Sequence, residues 1–336
     1  MRYIGSKTRV LDFIDNTIKD TYGDYGNAIV ADLFSGTVCV AEMFKKNHAT
    51  VITNDYMSFS YAFQIAKIKL NSLPECEMEY HAALDELNSL PGEKGFFYRN
   101  YCLRDDNERN YFTENNATKI DAICINLRQW LHDNVINNDM FYLLTASLID
   151  AITKVSNTTG TYGTFLKIND PRMFKDIELE PIEITNNGKN NNCYCEDITE
   201  LISHINGDIL YLDPPYNGRQ YPPYYHILET ATLYDEPNIY GKTGRRPYQD
   251  KISPFCQKDK ALPTMLELID KAQFKHIYIS YSTDGIMNYK ELCKKLEDFG
   301  EVQCFFKPYK RYKSNSSGNI EENGKLKEII IYVKKR

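Results

Sequence analysis

The residues with the clearest chemical potential are Asp213, Pro214, Pro215 and Tyr216, which directly follow an apolar run. An exocyclic amine on adenine or cytosine is a poor nucleophile because its lone pair is delocalised into the ring. The Asp213 carboxylate and the Pro214 carbonyl could each accept one N–H hydrogen bond and so localise that pair. The prolines keep the turn rigid, and the Tyr216 ring offers a flat face on which a base can stack. The pattern predicts activation of a ring amine; a proline-rich turn that caps a buried strand is the alternative.

Three further turns follow apolar runs, and ligands of open α/β sheets bind outside the carboxyl ends of the strands. Gly36, within the segment DLFSGT at 32–37, lets the backbone approach a ligand closely. Asp55 lies about twenty positions further on, where a carboxylate accepts hydrogen bonds from ribose hydroxyls. Asp197 could accept a hydrogen bond from an adenine amino group. Together they indicate an adenosine-containing cofactor, although Gly36 alone fits an ordinary turn and either acid could be a helix N-cap.

The elements that must position these residues alternate between apolar runs and segments of helical period, which is typical of a doubly wound α/β sheet. Strands are predicted at 29–34, 50–54, 209–212 and 276–281, and two more at 302–306 and 328–333 as a closing antiparallel pair. Helices are predicted at 40–46 and 289–299.

A long insertion at 75–155 separates the second of these strands from the third. Its clearest element has five apolar residues at helical spacing, namely Ile120, Ile123, Leu127, Leu131 and Val135. Because the insertion is rich in Asn, Asp and Glu, we do not expect it to form a hydrophobic half of the main core. We predict a helical subdomain that reads a substrate or partner, inserted into a main domain made of 1–74 and 156–336; a structural elaboration is the alternative.

Composition limits the class of partner. The net charge of −6 argues against a protein whose whole surface wraps nucleic acid. However, two segments, 242–248 and 307–313, mix cations with aromatic side chains, the combination that holds a phosphate backbone and stacks on bases. The first belongs to a polar stretch, 236–260, that we expect to cross the ligand-binding edge and to contact DNA. A solvated protein face is the alternative for both.

The cysteines and the hydropathy pattern suggest where the protein works. The 9 cysteines are odd in number and lack metal-type spacing, so we expect reduced thiols and no metal. No apolar run reaches membrane-spanning length, and the N-terminus lacks the apolar stretch of a signal peptide. We expect a soluble, cytoplasmic protein without membrane contact.

With these motifs in place, the chain resembles the S-adenosylmethionine-dependent DNA N6-adenine methyltransferases of the D12 class, relatives of the Dam methylases, over nearly its whole length. The segments that carry the resemblance are RYIGSK at 2–7, DLFSGT at 32–37, SNTTGTYGTFLK at 156–167, DPPYNGRQY at 213–221, YHILETATLYDEP at 225–237, HIYISYSTDGI at 276–286 and KRYKS at 310–314. The resemblance implies a Rossmann-like methyltransferase sheet with an antiparallel C-terminal hairpin.

The resemblance also implies roles for individual residues. The catalytic set is Asp213, Pro214, Pro215 and Tyr216. The S-adenosylmethionine-binding set is Tyr3, Lys7, Asp32, Phe34, Ser35, Gly36, Thr37, Asp55, Asp197 and Ile198, in which Lys7 approaches the cofactor carboxylate. The expected DNA contacts are Arg219, Tyr221, Lys242, Arg245, Arg246, Lys310 and Arg311. Many members carry a glycine where this chain has Val38, and we expect the Val38 side chain to point into the following helix rather than at the ligand.

The implied function is site-specific methylation of adenine N6 in double-stranded DNA, with the target base flipped out and the methyl group transferred in line. The insertion would read the DNA sequence. The resemblance implies a bacterial or phage-encoded, nucleoid-associated monomer that works with a cognate restriction endonuclease or as an orphan methylase. N4-cytosine methylation is the nearest alternative, although such members more often have serine where Asp213 stands. An RNA or protein-amide methylase and a catalytically silent DNA-binding subunit are the others, and intact Lys7, Asp55, Asp213 and Tyr216 argue against the silent subunit.

Overall fold

A single mixed sheet organises the protein, whose structure is a computed structural model that describes residues 6–105, 107–308 and 327–336. Within these ranges the strands are β1 (Ile29–Asp32), β2 (Thr50–Asn54), β3 (Asn192–Tyr194), β4 (Asn206–Leu212), β5 (Gln273–Ser282), β6 (Gly300–Pro308) and β7 (Lys327–Lys335). Their order across the sheet is β3-β2-β1-β4-β5-β7-β6. The six predicted strands are present, and β3, a three-residue edge strand, was not predicted.

The sheet is parallel from β3 to β5 and antiparallel at the C-terminal end. β1 pairs in parallel with β2 on one side and with β4 on the other, with Val30 opposite both Val51 and Ile209. β7 lies between β5 and β6 and is antiparallel to both. The α/β fold with a closing antiparallel pair is therefore confirmed. The sheet reverses its winding between β1 and β4, which is the place where such sheets bind ligands.

The helices cover both faces of the sheet. They are α1 (Leu11–Thr21), α2 (Cys39–Lys46), α3 (Ser58–Gln64), α4 (Tyr80–Ser89), α5 (Phe96–Tyr101), α6 (Glu114–His132), α7 (Asn138–Val155), α8 (Ile198–Leu201), α9 (Pro222–Leu233), α10 (Ala261–Lys271) and α11 (Tyr289–Leu296). A π-helical turn, Ile65–Lys69, extends α3, and short 3₁₀ helices lie at Lys7–Arg9, Pro171–Phe174, Gln249–Lys251 and Pro254–Cys256. None of the helices in the described part of the chain is both long and apolar enough to cross a membrane.

The insertion is helical as predicted, because α4 to α7 lie within 75–155. The expectation that it does not form a hydrophobic half of the main core is wrong. Buried residues of α6 and α7, such as Ile123 and Leu148, share one hydrophobic cluster with Val30 and Val51 of the sheet. Its polar composition has a different cause, because the Asn and Asp side chains hold backbone together. Asn137, for example, caps α7 by accepting a hydrogen bond from the Met140 amide at 2.9 Å.

Candidate active site

One cleft gathers the strand-end turns at the carboxyl edge of the parallel strands. The sequence-predicted residues that line it are Phe34, Gly36, Asp55, Asp197, Ile198, Asp213, Pro215 and Tyr221. The other predicted residues of these turns, Asp32, Ser35, Thr37, Pro214 and Tyr216, do not line the cleft. The fold thus brings the predicted cofactor turns and the predicted catalytic turn to one place, at the reversal between β1 and β4.

The turn between β1 and α2 is held by its neighbour after β2. The Gly36 amide donates to Asp55 Oδ2 at 2.8 Å, and the Ser35 hydroxyl donates to the Asn54 carbonyl at 3.0 Å. Gly36 has a φ of 50°, in the left-handed region that favours glycine. Val38 also has a positive φ, 59°, yet its side chain is completely buried in the hydrophobic cluster, away from the cleft. The backbone at position 38 is therefore left-handed although the residue is valine rather than glycine.

Asp55 and Asp197, the two acids of the expected adenosine site, have different hydrogen-bond partners. Asp55 accepts a second hydrogen bond through Oδ1, from the Met57 amide at 2.9 Å, and burial raises the pKa of this carboxyl above its ordinary value. Asp197 caps α8, because its Oδ1 accepts from the Thr199 amide at 2.8 Å and from the Thr199 hydroxyl at 2.7 Å. Both acids line the cleft, so the capping role of Asp197 does not remove it from the site.

The Asp213 carboxylate is engaged on one oxygen. Lys7 Nζ lies 3.1 Å from Oδ1, and the Tyr216 hydroxyl donates to the same oxygen at 2.7 Å. Burial raises the pKa of Asp213 to about 7; the Lys7 ammonium opposes this shift, and the nearby Glu328 carboxylate adds to it. Asp213 is consequently an acceptor whose charge changes in the neutral pH range.

Lys7 is a buried cation next to Asp213, although it does not itself line the cleft. Its Nζ contacts Asp213, lies 3.5 Å from Glu328 Oε2 and lies 4.5 Å from the centroid of the Tyr216 ring. Burial disfavours the charge, but the two carboxylates outweigh burial and raise the pKa of Lys7 above its ordinary value. Glu328 was not found from the sequence. Its one signal was an acid at the start of an otherwise apolar strand, Ile329 to Val333.

A further carboxyl, that of Asp32, stands at the end of β1, although it does not line the cleft. Asp32 Oδ1 is buried and has no hydrogen-bond partner among the described residues. Burial, together with the charges of Asp213 and Asp55, raises the pKa of Asp32 well above its ordinary value. S-adenosylmethionine carries a sulfonium and an ammonium group, so a site with surplus carboxylates fits a cofactor that brings positive charge.

The residues expected to contact DNA separate into two groups. Arg219 and Lys242 are exposed. Arg246, by contrast, donates to both carboxylate oxygens of Asp235 at 3.1 and 2.8 Å. Of the other predicted DNA contacts, Arg245 lies over the Tyr240 ring and Tyr221 lines the cleft. Lys310 and Arg311 lie outside the described residues, as does Tyr3 of the predicted cofactor-binding set.

The 236–260 stretch does reach the ligand-binding edge, but its C-terminal part faces the cleft. Residues 251–255 line the cleft, as Asp55 and Asp197 do. Lys251 pairs with Glu229 of α9 at 2.8 Å. Neither of these two residues was found from the sequence, because a lysine in a polar loop and a glutamate inside a helix are ordinary in isolation.

Metal-ligand chemistry finds no support in the described ranges. Across 6–105, 107–308 and 327–336, no group of three or more His, Cys, Asp or Glu side chains is placed to hold a metal ion. The cleft itself presents the Asp213 carboxyl as a hydrogen-bond acceptor, next to the turns that contain Gly36, Asp55 and Asp197.

Known proteins with similar sequences point to the same chemistry. A family model described as D12 class N6 adenine-specific DNA methyltransferase matches residues 3–295. Type II methyltransferase M.NlaIII of Neisseria lactamica is 36% identical over 99% of this chain and 98% of its own. Type II methyltransferase M.FokI of Planomicrobium okeanokoites is 42% identical over 100% of this chain, and modification methylase LlaI of Lactococcus lactis is 37% identical over 100%. The chain spans about half the length of the last two, 53% and 55%.

Solved structures give only a loose likeness. The rRNA methyltransferase aviRa from Streptomyces viridochromogenes aligns with a TM-score of 0.29 and 10% identity over 98% of this chain and 86% of that chain. A Thermoplasma acidophilum protein aligns with a TM-score of 0.34 and 10% identity over 97% of this chain and 89% of that chain. Scores of this size support no inference about this chain.

Proposed function

Because the chain belongs to the D12 class N6 adenine-specific DNA methyltransferases, we propose that it transfers a methyl group from S-adenosylmethionine to adenine N6 at a specific sequence in double-stranded DNA. The resemblance seen in the sequence is confirmed by the family match. The observation that carries the proposal is the shared cleft, where the Asp213 turn meets the Gly36, Asp55 and Asp197 turns. S-adenosylmethionine, when bound, supplies the electrophilic methyl group.

The proposed work of the protein is to orient the amine and localise its lone pair. Lys7 and Tyr216 both contact Asp213 Oδ1, which leaves Oδ2 to accept one amine hydrogen while the Pro214 carbonyl accepts the other. Lys7 favours the ionised form of Asp213 against its burial. The prolines hold both acceptors in one geometry, so most of the rate gain would come from positioning.

The location of the acceptors also supports base flipping. Asp213 follows β4 at the carboxyl edge of the sheet, inside a cleft that a base stacked within a duplex does not reach. We therefore infer that the target adenine leaves the helix and enters beside Tyr216. Lys7 lies over one Tyr216 face, so the base would stack on the other face or displace the lysine.

For sequence recognition we propose the insertion together with the turn at 241–244. The Tyr101 hydroxyl donates to the Gly244 carbonyl at 2.8 Å, and the Tyr111 hydroxyl donates to the Thr243 carbonyl at 3.1 Å. Arg109 adds contacts to the carbonyls of Gly241 and Lys242. The exposed Lys242 is thus carried by the same unit as the helices of 75–155, which suits a surface that holds the DNA backbone while other side chains read bases.

The remaining parts of the proposal rest on relatives and on the substrate. The relatives named type II methyltransferases and modification methylases support a restriction-modification role with a cognate endonuclease as functional partner. For such a role we propose a monomer that works on DNA in the bacterial cytoplasm, at the nucleoid.

The first experiment identifies the product. Purified protein is incubated with labelled S-adenosylmethionine and unmethylated bacterial genomic DNA, and the DNA is digested to nucleosides. We expect label in N6-methyladenine, and sequencing of the modified sites gives the recognition sequence. Label in N4-methylcytosine would contradict the assignment of adenine, and cofactor binding without labelled DNA would contradict DNA as the substrate.

A further inference from the structure

A short segment crosses the cleft and joins its two functional ends. We call residues 249–256 the strap; it consists of the 3₁₀ helices Gln249–Lys251 and Pro254–Cys256 and the residues between them. Its residues 251–255 line the cleft together with Gly36, Asp55 and Asp197. A ligand held by those turns would be enclosed by the strap.

At the Asp55 end, the strap is fixed to the turn that follows β2. The Tyr56 hydroxyl donates to the Asp250 carbonyl at 2.6 Å, and Lys251 Nζ donates to the Tyr56 carbonyl at 2.8 Å. Tyr56 is the neighbour of Asp55 in the chain. The strap and the acid expected to hold the ribose are therefore joined through a single residue.

The same lysine is anchored to the protein interior. Lys251 Nζ lies 2.8 Å from Glu229 Oε1, and the Glu229 side chain is only 2% exposed. Glu229 also accepts from the amides of Ser58 and Phe59, each at 3.2 Å, at the start of α3. Removing the lysine charge would leave a buried carboxylate without its counter-ion, which is costly. Lys251 consequently ties the strap, the Asp55 turn and α9 together.

At the catalytic end, the strap is fixed to the residues after Tyr216. Gln220 and Ser253 exchange two hydrogen bonds: Gln220 Nε2 donates to the Ser253 carbonyl at 3.0 Å, and the Ser253 amide donates to Gln220 Oε1 at 2.8 Å. Phe255 packs edge-on against Phe34, with ring centroids 5.2 Å apart. The strap thus contacts both the cofactor turns and the segment that begins with Asp213.

We propose that the strap closes the cleft over the bound cofactor and that Lys251 is the positioning residue that latches it to the Asp55 turn. This inference rests on the proposed cofactor site. A cofactor bound in the cleft would contact residues 251–255, so the latch that fixes the strap would lengthen the residence time of the cofactor. The exposed Lys242 lies outside the strap and is held by Arg109 instead, so we expect the affinity for DNA to depend on the latch less than the affinity for cofactor does.

The test replaces Lys251 by a side chain of similar length without charge. For Lys251→Met we expect the Kd for S-adenosylmethionine to rise about tenfold, with the dissociation rate of the cofactor raised to match. The KM for DNA and kcat at saturating cofactor stay within about twofold of the wild-type values, since the acceptors at Asp213 are untouched. Lys251→Arg keeps the charge and restores most of the affinity.

The matched control is Lys154→Met. Lys154 is likewise ion-paired, with Asp150 at 3.0 Å and Glu180 at 2.6 Å, but it lies on α7 and does not line the cleft. We expect the Lys154→Met substitution to leave the affinity for S-adenosylmethionine unchanged. A Lys251→Met protein with wild-type cofactor affinity overturns the latch, and so does one in which the KM for DNA rises as much as the Kd for cofactor.

Hydrogen exchange on the wild-type protein provides a second measurement if the variant does not fold. We expect cofactor binding to slow amide exchange over 249–256 more than over β6, and equal slowing or none overturns the closure. Failure of the proposed function looks different: wild-type protein that does not bind S-adenosylmethionine overturns both proposals, whereas wild-type protein that binds it, beside an unaffected Lys251→Met variant, overturns the latch alone.

Discussion

The cleft has a lysine–carboxylate centre at each end, and the two centres are built differently. At the catalytic end, Lys7 faces two carboxylates, Asp213 and Glu328, at 3.1 and 3.5 Å. At the other end, Lys251 faces Glu229 alone at 2.8 Å, and Glu229 is further satisfied by two backbone amides. We call the first the surplus centre, because two carboxylates lie at ion-pair distance from one lysine, and the second the matched centre, because Glu229 is the one carboxylate at that distance from Lys251 within the described residues.

This difference separates a site for chemistry from a site for positioning. The surplus charge and burial raise the pKa of Asp213 to about 7, so a proton or a cationic ligand changes its state readily. A buried, fully hydrogen-bonded ion pair has no such freedom and fixes the elements that meet at it. Substitutions at the two ends should therefore affect different measured quantities.

The largest expected effect comes from removing the acceptor at the catalytic end. Asp213→Ala should lower kcat by about 1,000-fold, because one of the two acceptors for the amine is lost. The Kd for S-adenosylmethionine should stay near the wild-type value, which calorimetry measures directly. The matched control is Asp208→Ala, on the same strand β4 but near its amino end, where the side chain accepts from the Ile29 amide. Undiminished turnover in Asp213→Ala would remove Asp213 from the mechanism.

At the opposite end, Asp55→Ala should weaken cofactor binding and leave the chemistry largely intact. We expect the Kd for S-adenosylmethionine to rise about 10- to 100-fold, the loss expected when charge-assisted hydrogen bonds disappear. At saturating cofactor, kcat should change far less than it does in Asp213→Ala. The two ends would not be functionally distinct if Asp55→Ala lowered kcat and left the Kd unchanged.

The matched centre should matter more for stability than the surplus centre. Glu229→Ala should lower the free energy of unfolding by about 3 kcal/mol, because it leaves Lys251 without its buried partner and two α3 amides without an acceptor. Glu328→Ala should cost less, since it relieves repulsion with Asp213. Urea unfolding of both variants without cofactor provides the measurement, and equal losses would contradict the distinction.

The sequence singled out Lys7 and Asp213 of the first centre and Asp55 beside the second, but it did not single out Glu328, Lys251 or Glu229. Asp213 and Asp55 each stand directly after a strand, so the chain itself places them at the carboxyl edge. Glu328 meets Lys7 across 321 positions, and Glu229 meets Lys251 between a helix and a loop, so only the tertiary fold pairs them. The sheet was predictable for a similar reason: its main strands are apolar runs, whereas the edge strand β3 lies in a polar, asparagine-rich segment.

The basic segment at 242–248 illustrates what amino-acid composition does not specify. The segment 242–248 has the composition of a nucleic-acid contact, yet composition does not distinguish a cation that faces solvent from one already paired. Arg246 binds Asp235, while Lys242 is exposed. The insertion was misjudged in the same way, because the count of Asn and Asp residues does not say which of them point inward to hold backbone, as Asn116 does for the carbonyls of Met173 and Lys175.

The smallest expected effect is a shift in pH dependence, and it tests the surplus centre directly. Asp213 accepts the amine hydrogen only when ionised, so kcat/KM should fall as the pH falls through about 7. The Glu328 charge raises the pKa of Asp213, and the Lys7 charge lowers it. Glu328→Gln keeps the shape of the side chain and removes the negative charge that repels the Asp213 carboxylate. The pKa of Asp213 should therefore fall, and the acidic limb of the pH profile should move to lower pH.

The control for this shift is Glu301→Gln on the neighbouring strand β6, where the side chain is exposed and its charge is screened by solvent. Its pH profile should match that of the wild type. If Glu328→Gln also left the limb in place, the repulsion between Glu328 and Asp213 would not govern the titration. Burial of Asp213 alone would then account for it, and the two ends of the cleft would differ in solvent access rather than in charge balance.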